Sequence, residues 1–438
     1  MKRALVMGAG LVVKPLIDHL TARDDLEVRV ATMNVERAER LLAGRPRTSA
    51  GLVNATDQES LLHEVSGADV VVSLLPANQH ILLADACLQL ETPLVTTSYV
   101  SESLRALDPL ARQRGVLILG ECGLDPGIDH MTAAAEVRRI HGEGGRVTSF
   151  ASYCGGLPAP EANTNPWGYK FAWSPRGVVV ATRNQVRYLD EGRIVTQRFP
   201  EYFASPRTIE VPEVGALESY PNRDCLKYIE EYELEGVGTF FRGTLRYPGW
   251  CETWHALHTL GLLEPGAVVA PRSGFGGFLD ARLGPGGGPR RGRIAARLGL
   301  GASHPILERI EWLGLLSDEQ VTEAGAPMLD LLVALLERKL AYAPGERDMV
   351  VLEHHLGYED DDGQARRRVL RLVETATAGD DSAMARTVSL PAAIACEMIL
   401  DGKVDLTGVR IPTHPELARP ILRRLEKAGL AFRLLEER

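Results

Sequence analysis

The sequence predicts an α/β protein in which a doubly wound parallel sheet is followed by a mixed α/β region and a small helical region. The first observation is a short apolar segment, Ala4–Met7, that leads into a glycine-containing turn. The second is a series of apolar segments, at about 27–31, 69–75, 94–97 and 116–119, that alternate with helical segments. Such alternation is typical of βαβ units and hence of a parallel sheet. The third is a change to β-rich segments from about residue 146.

Length and composition indicate a globular protein of two or three domains. The chain has 438 residues, of which 45% are hydrophobic and 24% are charged, and a single hydrophobic core rarely serves so long a chain. The net charge of -9 and the lack of a dense basic run exclude an extended nucleic-acid surface. We therefore expect a small-molecule substrate, no nucleic acid and no membrane partner, and we leave a homodimer open.

The cysteines and the apolar segments predict a cytoplasmic protein. The six cysteines are scattered without a C-x-x-C pair, which is typical of reduced thiols rather than of disulfides or a zinc site. Adjacent His354 and His355 point in different directions on a helix or a strand, so no metal site is predicted. The N-terminal apolar segment contains Gly8 and Gly10 and lacks a cleavage site, so it is not interpreted as a signal peptide. No uncharged stretch approaches about 20 residues, and we expect no membrane span.

The first strand ends in Gly8-Ala-Gly10-Leu-Val-Val13, a G-x-G-x-x-V turn that is expected to begin the next helix. The first glycine of such a turn permits a tight bend, and the second lets the backbone approach a pyrophosphate at a helix N-terminus. Val13 replaces the third glycine of the common fingerprint, which affects only the packing of helix on strand. Because the turn opens a strand–helix alternation, we predict a Rossmann dinucleotide-binding domain rather than a purely structural turn.

The end of the second strand bears on the choice of dinucleotide. No Asp or Glu ends the strand Glu27–Ala31, where NAD enzymes usually hold the adenosine ribose. Thr32, Asn34 and Arg37 follow instead, and an arginine suits a 2′-phosphate. Asn34 is also the predicted N-cap of a helix over 35–42. NADP is therefore the predicted cofactor and NAD the alternative, while a merely solvated Arg37 is the competing structural interpretation.

Three further strands end at Leu75-Pro76, at Ser98-Tyr99 and at the stretch GECGLDPGIDH of residues 120–130. In a doubly wound sheet these ends converge on one crevice, which places Leu75, Tyr99 and Asp125 near a nicotinamide. The alternative for Tyr99 is a rim tyrosine that covers the end of the sheet.

Asp125 precedes a rigid Pro-Gly pair and a helix predicted from Met131. A carboxylate at a strand end that faces the crevice suits acid/base chemistry. A carboxylate just ahead of a helix also suits a structural cap, which is the alternative. Cys122, in the same stretch, is expected to pack in the core.

The middle of the chain combines arginines with loops bounded by glycine and proline. Ser152–Glu161 contains adjacent Gly155 and Gly156, whose backbone N–H groups suit a carboxylate where they are accessible. YPNRD at 220–224 and RGTLRY at 242–247 contribute three arginines, and arginine forks are natural partners of carboxylates. Any single arginine is more often solvated or structural, but together they suggest a ligand with several carboxylates.

Eight stretches resemble the glutamate-forming saccharopine dehydrogenases, also called saccharopine reductases. They follow the order of that family over residues 8 to about 412 and are GECGLDPGIDHM, SYCGGLPAPE, NPWGYKFAWSPRG, YPNRD, RGTLRY, EWLGLL, KLAYAPGERDMV and SAMARTVSLPAAIA. The resemblance implies a Rossmann domain, a mixed α/β substrate domain and a small helical domain. It also implies that saccharopine, NAD(P)+ and water are converted to glutamate, 2-aminoadipate semialdehyde and NAD(P)H. By the same resemblance, Arg223, Arg242 and Arg246 hold the carboxylates of the substrate, and which of the last two makes the contact is left open.

These patterns and this resemblance together predict three groups of site residues. The catalytic group comprises the principal acid/base residue, an assisting tyrosine and a cysteine that lines the site: Asp125, Tyr99 and Cys154. The cofactor-binding group is Gly8, Gly10, Leu11, Val12, Thr32, Asn34, Arg37, Leu74, Leu75 and Pro76. The substrate-binding group is Ser98, Tyr99, Asp125, Cys154, Gly155, Gly156, Trp173, Asn222, Arg223, Arg242, Thr244 and Arg246.

The predicted domains are a Rossmann domain over 1–123, an α/β substrate domain over 124–265 and 341–389, and a small helical domain over 266–340. Helices at about 390–438 are expected to pack back on the Rossmann domain. Within the helical domain, Gly266–Gly301 departs from the family pattern in its glycine content and follows no evident strand. We therefore interpret it as a flexible surface insertion rather than a phosphate loop. Other helices are predicted from their periodicity over 306–320, 326–340 and 417–428, and from Ser382 onward.

Two alternative functions are kept. The first is a related imine reductase such as carboxynorspermidine dehydrogenase, which shares the G-x-G half and reduces a similar Schiff base. The second is a non-enzymatic dinucleotide sensor, which would be expected to lack the set of Tyr99, Asp125 and Arg223.

Overall fold

The computed structural model describes residues 1–322, 324–377 and 381–437. It divides into two compact units: unit 1 contains Met1–Ser152, Lys227–Val237 and Leu352–Arg438, and unit 2 contains Tyr153–Leu226 and Gly238–Val351. The predicted range 341–389 includes residues 378–380, which lie outside the described residues. The division into three domains stays a prediction.

The strands, in chain order, are β1 (Lys2–Met7), β2 (Leu26–Thr32), β3 (Thr48–Leu52), β4 (Val70–Ser73), β5 (Leu94–Thr96), β6 (Leu117–Leu119), β7 (Arg146–Pro158), β8 (Val186–Asp190), β9 (Arg193–Gln197), β10 (Arg207–Val211), β11 (Gly215–Pro221), β12 (Thr239–Arg246), β13 (Val268–Val269), β14 (Ala326–Pro327), β15 (Asp348–Glu359), β16 (Ala365–Thr375), β17 (Gly408–Arg410) and β18 (Arg433–Glu437). The α-helices are α1 (Lys14–Thr21), α2 (Val35–Leu42), α3 (Gln58–Val65), α4 (His80–Gln89), α5 (Glu102–Arg105), α6 (Asp108–Gln113), α7 (Ile128–Gly142), α8 (Pro175–Ala181), α9 (Tyr228–Glu231), α10 (Trp250–Thr259), α11 (Phe275–Leu283), α12 (Arg290–Leu298), α13 (Pro305–Leu313), α14 (Met328–Lys339), α15 (Ala383–Leu400) and α16 (Pro415–Lys427). Short 3₁₀ turns occupy Ala77–Gln79, Pro160–Ala162 and Glu201–Phe203.

Unit 1 is built on a parallel sheet with the strand order β17-β6-β5-β4-β1-β2-β3. The direction of winding reverses beside β1, so the ligand crevice of such a sheet lies at the carboxyl ends of β1 and β4. This order confirms the predicted Rossmann doubly wound sheet. The sequence analysis missed β17, which pairs Val409 with Ile118 of β6. Its three residues carry no pattern of their own, and they place β6 between β17 and β5 in the sheet.

Helix α15 packs against the parallel sheet, as the segment from Ser382 predicts. The Ser382 hydroxyl accepts a hydrogen bond from the N–H of Ala385 at 3.0 Å and caps the helix, and the helix contacts α1, β4 and β5. Among the described residues, α15 alone is long and apolar enough to cross a membrane by length and composition, with a mean hydropathy of 1.4. However, 72% of that segment is buried within the protein. A core helix of a folded domain has the same length and apolar composition.

A second sheet contributes strands to both units. In unit 2 the strand order is β10-β11-β12-β7-β15, and the β8–β9 hairpin joins β12 through β8. In unit 1 the order is β7-β15-β16-β18. The 13 residues of β7 and the 12 residues of β15 are divided between the units.

The helices of unit 2 pack around an aromatic core, and they include the glycine-rich segment. Gly266–Gly301 is not the flexible surface insertion that we expected, because it forms β13, α11 and α12 and buries Phe275, Leu279 and Ile294 in that core. The high glycine content of this segment does not indicate flexibility, because some of its glycines allow close packing. A Cβ on Gly276 would lie 2.7 Å from the carbonyl oxygen of Ser317.

Several predicted helix limits differ from the structure by a few residues. Helix α7 begins at Ile128, three residues before the predicted Met131. Helix α13 ends at Leu313 rather than near residue 320, since Gly314 adopts a left-handed C-cap with φ of 99°. The last helix is α16, which begins at Pro415 and ends at Lys427.

Candidate functional site

The glycine turn after β1 has an open side. Gly8 has φ of 100°, which glycine adopts without steric cost, and its N–H donates to the carbonyl of Ala31 at 2.8 Å. Gly10 is exposed, and a Cβ placed on it would meet no described atom within 4 Å. Contrary to expectation, α1 does not begin in the turn but at Lys14, with Pro15 in its first turn where no N–H donor is needed. The turn is therefore longer than predicted, and Leu11 and Val12 belong to it.

Three polar residues after β2 form a connected group. Asn34 accepts a hydrogen bond from the N–H of Arg37 at 3.0 Å and caps α2, as predicted. Thr32 accepts one from the N–H of Asn34 at 3.2 Å. Arg37 donates from Nη2 to the carbonyl of Gly10 at 3.3 Å, while its Nε has no hydrogen-bond partner in the described part of the chain. A cation is thus held beside the glycine turn, and its contact with a 2′-phosphate stays a prediction.

The ends of β4 and β5 supply the other predicted residues of unit 1. The N–H of Leu74 donates to the carbonyl of Met7 at 2.9 Å, and the carbonyl of Leu74 lies 3.4 Å from the position of a Cβ on Gly8. Leu75 is half-buried, and Pro76 is exposed ahead of the 3₁₀ turn. Leu74 therefore contacts the glycine turn directly, and its two neighbours extend the same wall toward solvent.

Tyr99 and Asp125 form a hydrogen-bonded pair. The hydroxyl of Tyr99 donates to Oδ1 of Asp125 at 2.8 Å, and both side chains are half-buried. The N-cap of α7 is Gly127, two residues after Asp125, and it makes no side-chain cap hydrogen bond. Asp129 instead accepts from the N–H of Gly127 at 2.7 Å. A phenol paired with a carboxylate can hold and pass a proton. The structural alternatives, a rim tyrosine for Tyr99 and a helix cap for Asp125, do not require this pairing.

The sequence analysis missed a buried cluster around Glu121. This carboxylate accepts at Oε2 from His130 Nε2 and from the Tyr228 hydroxyl, each at 2.7 Å. At Oε1 it accepts from the N–H of Val100 at 2.9 Å and from Lys227 Nζ at 3.3 Å. Burial opposes ionisation, but the hydrogen bond and charge of His130 and the charge of Lys227 lower the pKa of Glu121 to about 2. The only signal in the sequence was a Glu and a His within a segment that had to be buried.

In unit 2, Arg242, Thr244 and Arg246 alternate along β12 and therefore share one face of the strand. Arg242 and Arg246 are only 2% and 4% exposed, whereas Thr244 is half-buried. Strand β11 pairs alongside, with Tyr220 opposite Thr244. The predicted substrate arginines of this strand are thus almost fully removed from water.

Arg246 lies in an aromatic cage. Its guanidinium carbon is 4.8 Å from the ring centre of Tyr169, 5.2 Å from that of Trp250 and 6.0 Å from that of Tyr220. Nη1 donates to the carbonyl of Leu245 at 2.7 Å, while Nε has no hydrogen-bond partner, and no carboxylate pairs with Arg246 within the described residues. Burial opposes the charge, but the hydroxyls of Tyr220 and Tyr169 raise the pKa of Arg246. A buried cation without a counter-ion is an appropriate site for an anionic group.

The remaining predicted residues of unit 2 lie on β7 or in loops. Asn222 follows β11 and donates from its N–H to the carbonyl of Arg242 at 2.8 Å. The next residue, Arg223, is half-buried and has φ of 59°, and its carbonyl accepts from the N–H of Arg187 in β8 at 3.1 Å. Trp173 is half-buried and packs against the aromatic core that contains Tyr169.

Cys154, Gly155 and Gly156 lie inside β7, which continues to Pro158. A Cβ on Gly155 would lie 2.6 Å from the carbonyl oxygen of Leu245. Close packing against β12 is therefore sufficient to explain a glycine at position 155, and no exposed N–H group is needed. Contact of Gly155 and Gly156 with substrate stays a prediction. Cys154 is buried.

The other cysteines and the adjacent histidines have structural surroundings. All six cysteines are free and buried, and burial raises the pKa of Cys122 and of Cys225 to about 12, which agrees with the packing role predicted for Cys122. His354 stacks with Phe432, and His355 pairs with Glu353. Within the described residues there is no group of three His, Cys, Asp or Glu suited to a metal ion.

The site residues thus form two groups. Unit 1 holds the glycine turn, the Arg37 group, the ends of β4 and β5, and the pair Tyr99–Asp125. Unit 2 holds Cys154, Trp173 and the predicted arginines.

Comparison with known proteins covers the whole chain. Residues 4–119 match the family model described as the saccharopine dehydrogenase NADP binding domain, and residues 123–430 match the saccharopine dehydrogenase C-terminal domain. The chain is 37% identical to the saccharopine dehydrogenase [NADP(+), L-glutamate-forming] of Saccharomyces cerevisiae, over 98% of both chains. It is 33% identical to the Schizosaccharomyces pombe protein of the same name, over 100% of this chain and 99% of that one.

One further relative and one solved structure extend the comparison. The mitochondrial alpha-aminoadipic semialdehyde synthase of Bos taurus is 35% identical over 98% of this chain, but the match spans only 47% of that longer protein. Among solved structures, the apo saccharopine dehydrogenase (L-Glu forming) from Saccharomyces cerevisiae matches with a TM-score of 0.88 and 36% identity, over 100% of this chain and 99% of that one. These similarities confirm the resemblance found in the motifs, and the chain belongs to the saccharopine dehydrogenase family.

Proposed function

We propose that this protein is an NADP-dependent saccharopine dehydrogenase of the glutamate-forming type, an oxidoreductase of lysine metabolism. It interconverts saccharopine, NADP+ and water with L-glutamate, 2-aminoadipate 6-semialdehyde and NADPH. The observation that carries the proposal is similarity at 33–37% identity, along essentially the full length, to three enzymes with that name. The chemistry of the two residue groups supports it.

The residues of unit 1 fit NADP. The open side of Gly10 leaves room for the pyrophosphate, and Arg37 places a cation beside the turn where the 2′-phosphate belongs. Strand β2 ends in Ala31 and Thr32 rather than in an acidic residue. Bound NADP+ supplies the hydride acceptor for the carbon next to the secondary amine. Leu11, Val12, Leu74, Leu75 and Pro76 are proposed as the walls of this pocket.

The residues of unit 2 suit a substrate with several carboxylates. Saccharopine carries three carboxylates and one secondary amine. Arg246 provides a buried cation without a carboxylate partner among the described residues. Arg242 and Thr244 lie on the same face of β12, and Arg223 stands at the end of the neighbouring strand. We propose that these residues, together with Asn222, Trp173, Cys154, Gly155, Gly156 and Ser98, bind the substrate.

Asp125 and Tyr99 are proposed to manage the protons. The secondary amine must lose its proton before hydride can leave the adjacent carbon, and Asp125 is the base that we assign to this step. Hydride loss leaves an imine, whose carbon is attacked by water while the nitrogen regains a proton. The hydroxyl of the resulting carbinolamine then loses its proton, and the carbon–nitrogen bond breaks to release the aldehyde and glutamate. Tyr99, which donates to Asp125 at 2.8 Å, is assigned to hold that carboxylate in place and to share its proton. Cys154 lines the site, and we assign no step to it.

A spectrophotometric assay tests the proposed reaction. Purified protein mixed with saccharopine and NADP+ should raise the absorbance at 340 nm, and NAD+ in place of NADP+ should give a much lower kcat/KM. A protein that reduces a carboxynorspermidine-type Schiff base but leaves saccharopine unchanged would be an imine reductase of the related class. No turnover of either substrate, together with tight dinucleotide binding, would indicate a sensor.

We also propose a cytoplasmic location, no binding to nucleic acid or membrane, and a homodimer. The six free cysteines support a reducing compartment. The relative in Bos taurus is described as mitochondrial, so fractionation of cells that express the tagged chain is the direct measurement. Light scattering of the purified protein tests the dimer.

A further inference from the structure

The residues on both sides of Tyr99 are bonded to Glu121. The N–H of Glu121 donates to the carbonyl of Ser98 at 3.0 Å. The N–H of Val100 donates to Oε1 of Glu121 at 2.9 Å. Since Ser98 and Val100 are the chain neighbours of Tyr99, a single residue fixes the backbone before and after it. Tyr99 in turn reaches Asp125, four residues beyond Glu121 in the same turn.

Glu121 itself is held rigidly. Its φ of 56° lies in the left-handed region, which costs a residue with a side chain about 1 kcal/mol or more unless its surroundings fix it. The carboxylate only accepts, so His130 donates from Nε2 at 2.7 Å, and Tyr228 donates at the same distance. The rings of His130 and Tyr228 lie 4.7 Å apart, centre to centre. Helix α7 and helix α9 therefore hold the carboxylate in one position.

Tyr232 and Lys227 complete the cluster around the Glu121 carboxylate. Nδ1 of His130 lies 2.5 Å from the hydroxyl of Tyr232, which fixes the imidazole at its other nitrogen. Lys227 reaches Oε1 from the more exposed side, so both oxygens of the carboxylate have two donors. A fully buried carboxylate with four donors is a rigid support rather than a solvated side chain.

We propose that Glu121 is a positioning residue for the reaction, which fixes Tyr99 so that its hydroxyl meets Asp125. The inference rests on the acid/base role proposed above for the pair Tyr99–Asp125. A hydroxyl displaced by about 1 Å loses the geometry of proton transfer, and misplacement on that scale costs about 100-fold in rate. Glu121 acts through Tyr99, so its effect on turnover should vanish once the hydroxyl of Tyr99 is absent.

The test compares Glu121→Gln, Tyr99→Phe and the double variant in the full chain, by steady-state kinetics with saccharopine and NADP+. We expect Glu121→Gln to lower kcat by roughly 10- to 100-fold while KM for NADP+ changes less than about threefold. In the Tyr99→Phe background the same substitution should change kcat by less than about threefold. Independent, multiplicative losses in the double variant would overturn the inference, because Glu121 would then act without Tyr99.

Glu64→Gln is the matched control. Glu64 is also a buried carboxylate of unit 1, whose Oε2 and Oε1 accept from Arg29 at 2.6 and 2.8 Å. Its substitution removes a comparable buried charge but does not touch Tyr99, so it should lower thermal stability and leave kcat unchanged. A loss of kcat in Glu64→Gln as large as that in Glu121→Gln would assign both effects to general loss of structure.

Two outcomes separate this inference from the proposed function. If Tyr99→Phe and Asp125→Asn both keep full kcat, the acid/base role itself is wrong. If they lose kcat while folded Glu121→Gln keeps it, only the positioning role is wrong. Should Glu121→Gln fail to fold, Tyr228→Phe removes one donor from the carboxylate and keeps the ring. It should lower kcat several-fold in the wild-type background only, and an unchanged kcat contradicts the inference.

Discussion

Replacing Arg246 by Met should strengthen the ligand-free protein and weaken its hold on the substrate. The guanidinium is 4% exposed, and no carboxylate pairs with it among the described residues. One carbonyl at 2.7 Å and three aromatic rings stabilise this charge and partly offset the cost of removing it from water. Methionine fills a similar volume and leaves no buried charge. If Arg246 serves ligand binding, the substitution should raise the free energy of unfolding. If Arg246 serves the fold, the substitution should lower it.

The two magnitudes follow from the contacts. A buried ion costs several kcal/mol of desolvation, and rings near a cation return about 0.5 to 2 kcal/mol each. Replacing such a charge by a well-packed apolar side chain is expected to raise the free energy of unfolding by about 1 kcal/mol or more. Loss of one charge-assisted hydrogen bond to a substrate carboxylate costs about 1.5 to 3 kcal/mol. The dissociation constant for saccharopine should therefore rise by about 10- to 150-fold.

Urea denaturation and calorimetry measure these two effects. Intrinsic tryptophan fluorescence reports on unit 2, which contains all five tryptophans of the chain: Trp167, Trp173, Trp250, Trp254 and Trp312. Titration calorimetry of saccharopine into the enzyme gives the dissociation constant directly, without assumptions about KM.

Arg309→Met is the matched control in the same unit. The guanidinium of Arg309 donates to the carbonyls of Pro166, Gly249 and Pro248 and to the hydroxyl of Thr253, at 2.8 to 3.3 Å. Its loss removes the Arg309 donor from the carbonyls of Pro166 and Pro248, while the carbonyl of Gly249 keeps the N–H and the hydroxyl of Thr253. This variant should therefore be less stable by about 2 kcal/mol or more and should bind saccharopine normally. If Arg246→Met is destabilised like Arg309→Met and keeps its affinity for saccharopine, Arg246 is a structural residue and the reasoning fails.

Three further substitutions test the other parts of the site. Asp125→Asn should lower kcat by about 10² to 10⁴ with unchanged stability and NADP+ affinity, since the N-cap of α7 is Gly127 rather than Asp125; lost stability with full turnover would support the structural interpretation. Arg37→Ala should raise KM for NADP+ by about tenfold or more and leave KM for NAD+ unchanged, and an equal change in both would remove Arg37 from the 2′-phosphate site. Glu121 has its pKa lowered from 4.5 to about 2 in the folded protein, so it stabilises the fold above pH 4.5 and this contribution is lost as the pH falls toward 2. The stability difference between wild type and Glu121→Gln should therefore shrink by about 2 kcal/mol between pH 6 and pH 3 in urea denaturation followed by circular dichroism, and a constant difference would contradict this.

The parallel sheet could be predicted because its strands carry local signals. Apolar runs such as Val70–Ser73 end at residues that break the strand, and Asn34 and Ser382 cap their helices as their chemistry suggests. Strand β17 could not be predicted, because three residues owe their strand conformation to pairing with β6 from nearly 300 positions earlier in the chain. The glycines of Gly266–Gly301 misled for a related reason. Glycine serves close packing as often as flexibility, and only the neighbours of each position decide between them.

The site shows the same limit at the level of single residues. A glycine turn, a carboxylate ahead of Pro-Gly and arginines in loops are visible in the sequence, because each residue type suggests its own chemistry. The cluster of Glu121 is not, because its donors come from Val100, His130 and residues 227–228, and only folding brings them together. A sequence therefore indicates which groups can react more readily than which groups hold them in place. If catalysis depends on the geometry of Tyr99 and Asp125 as proposed, the residue that fixes this geometry lies inside the motif GECGLDPGIDH, but only the fold shows which groups it holds.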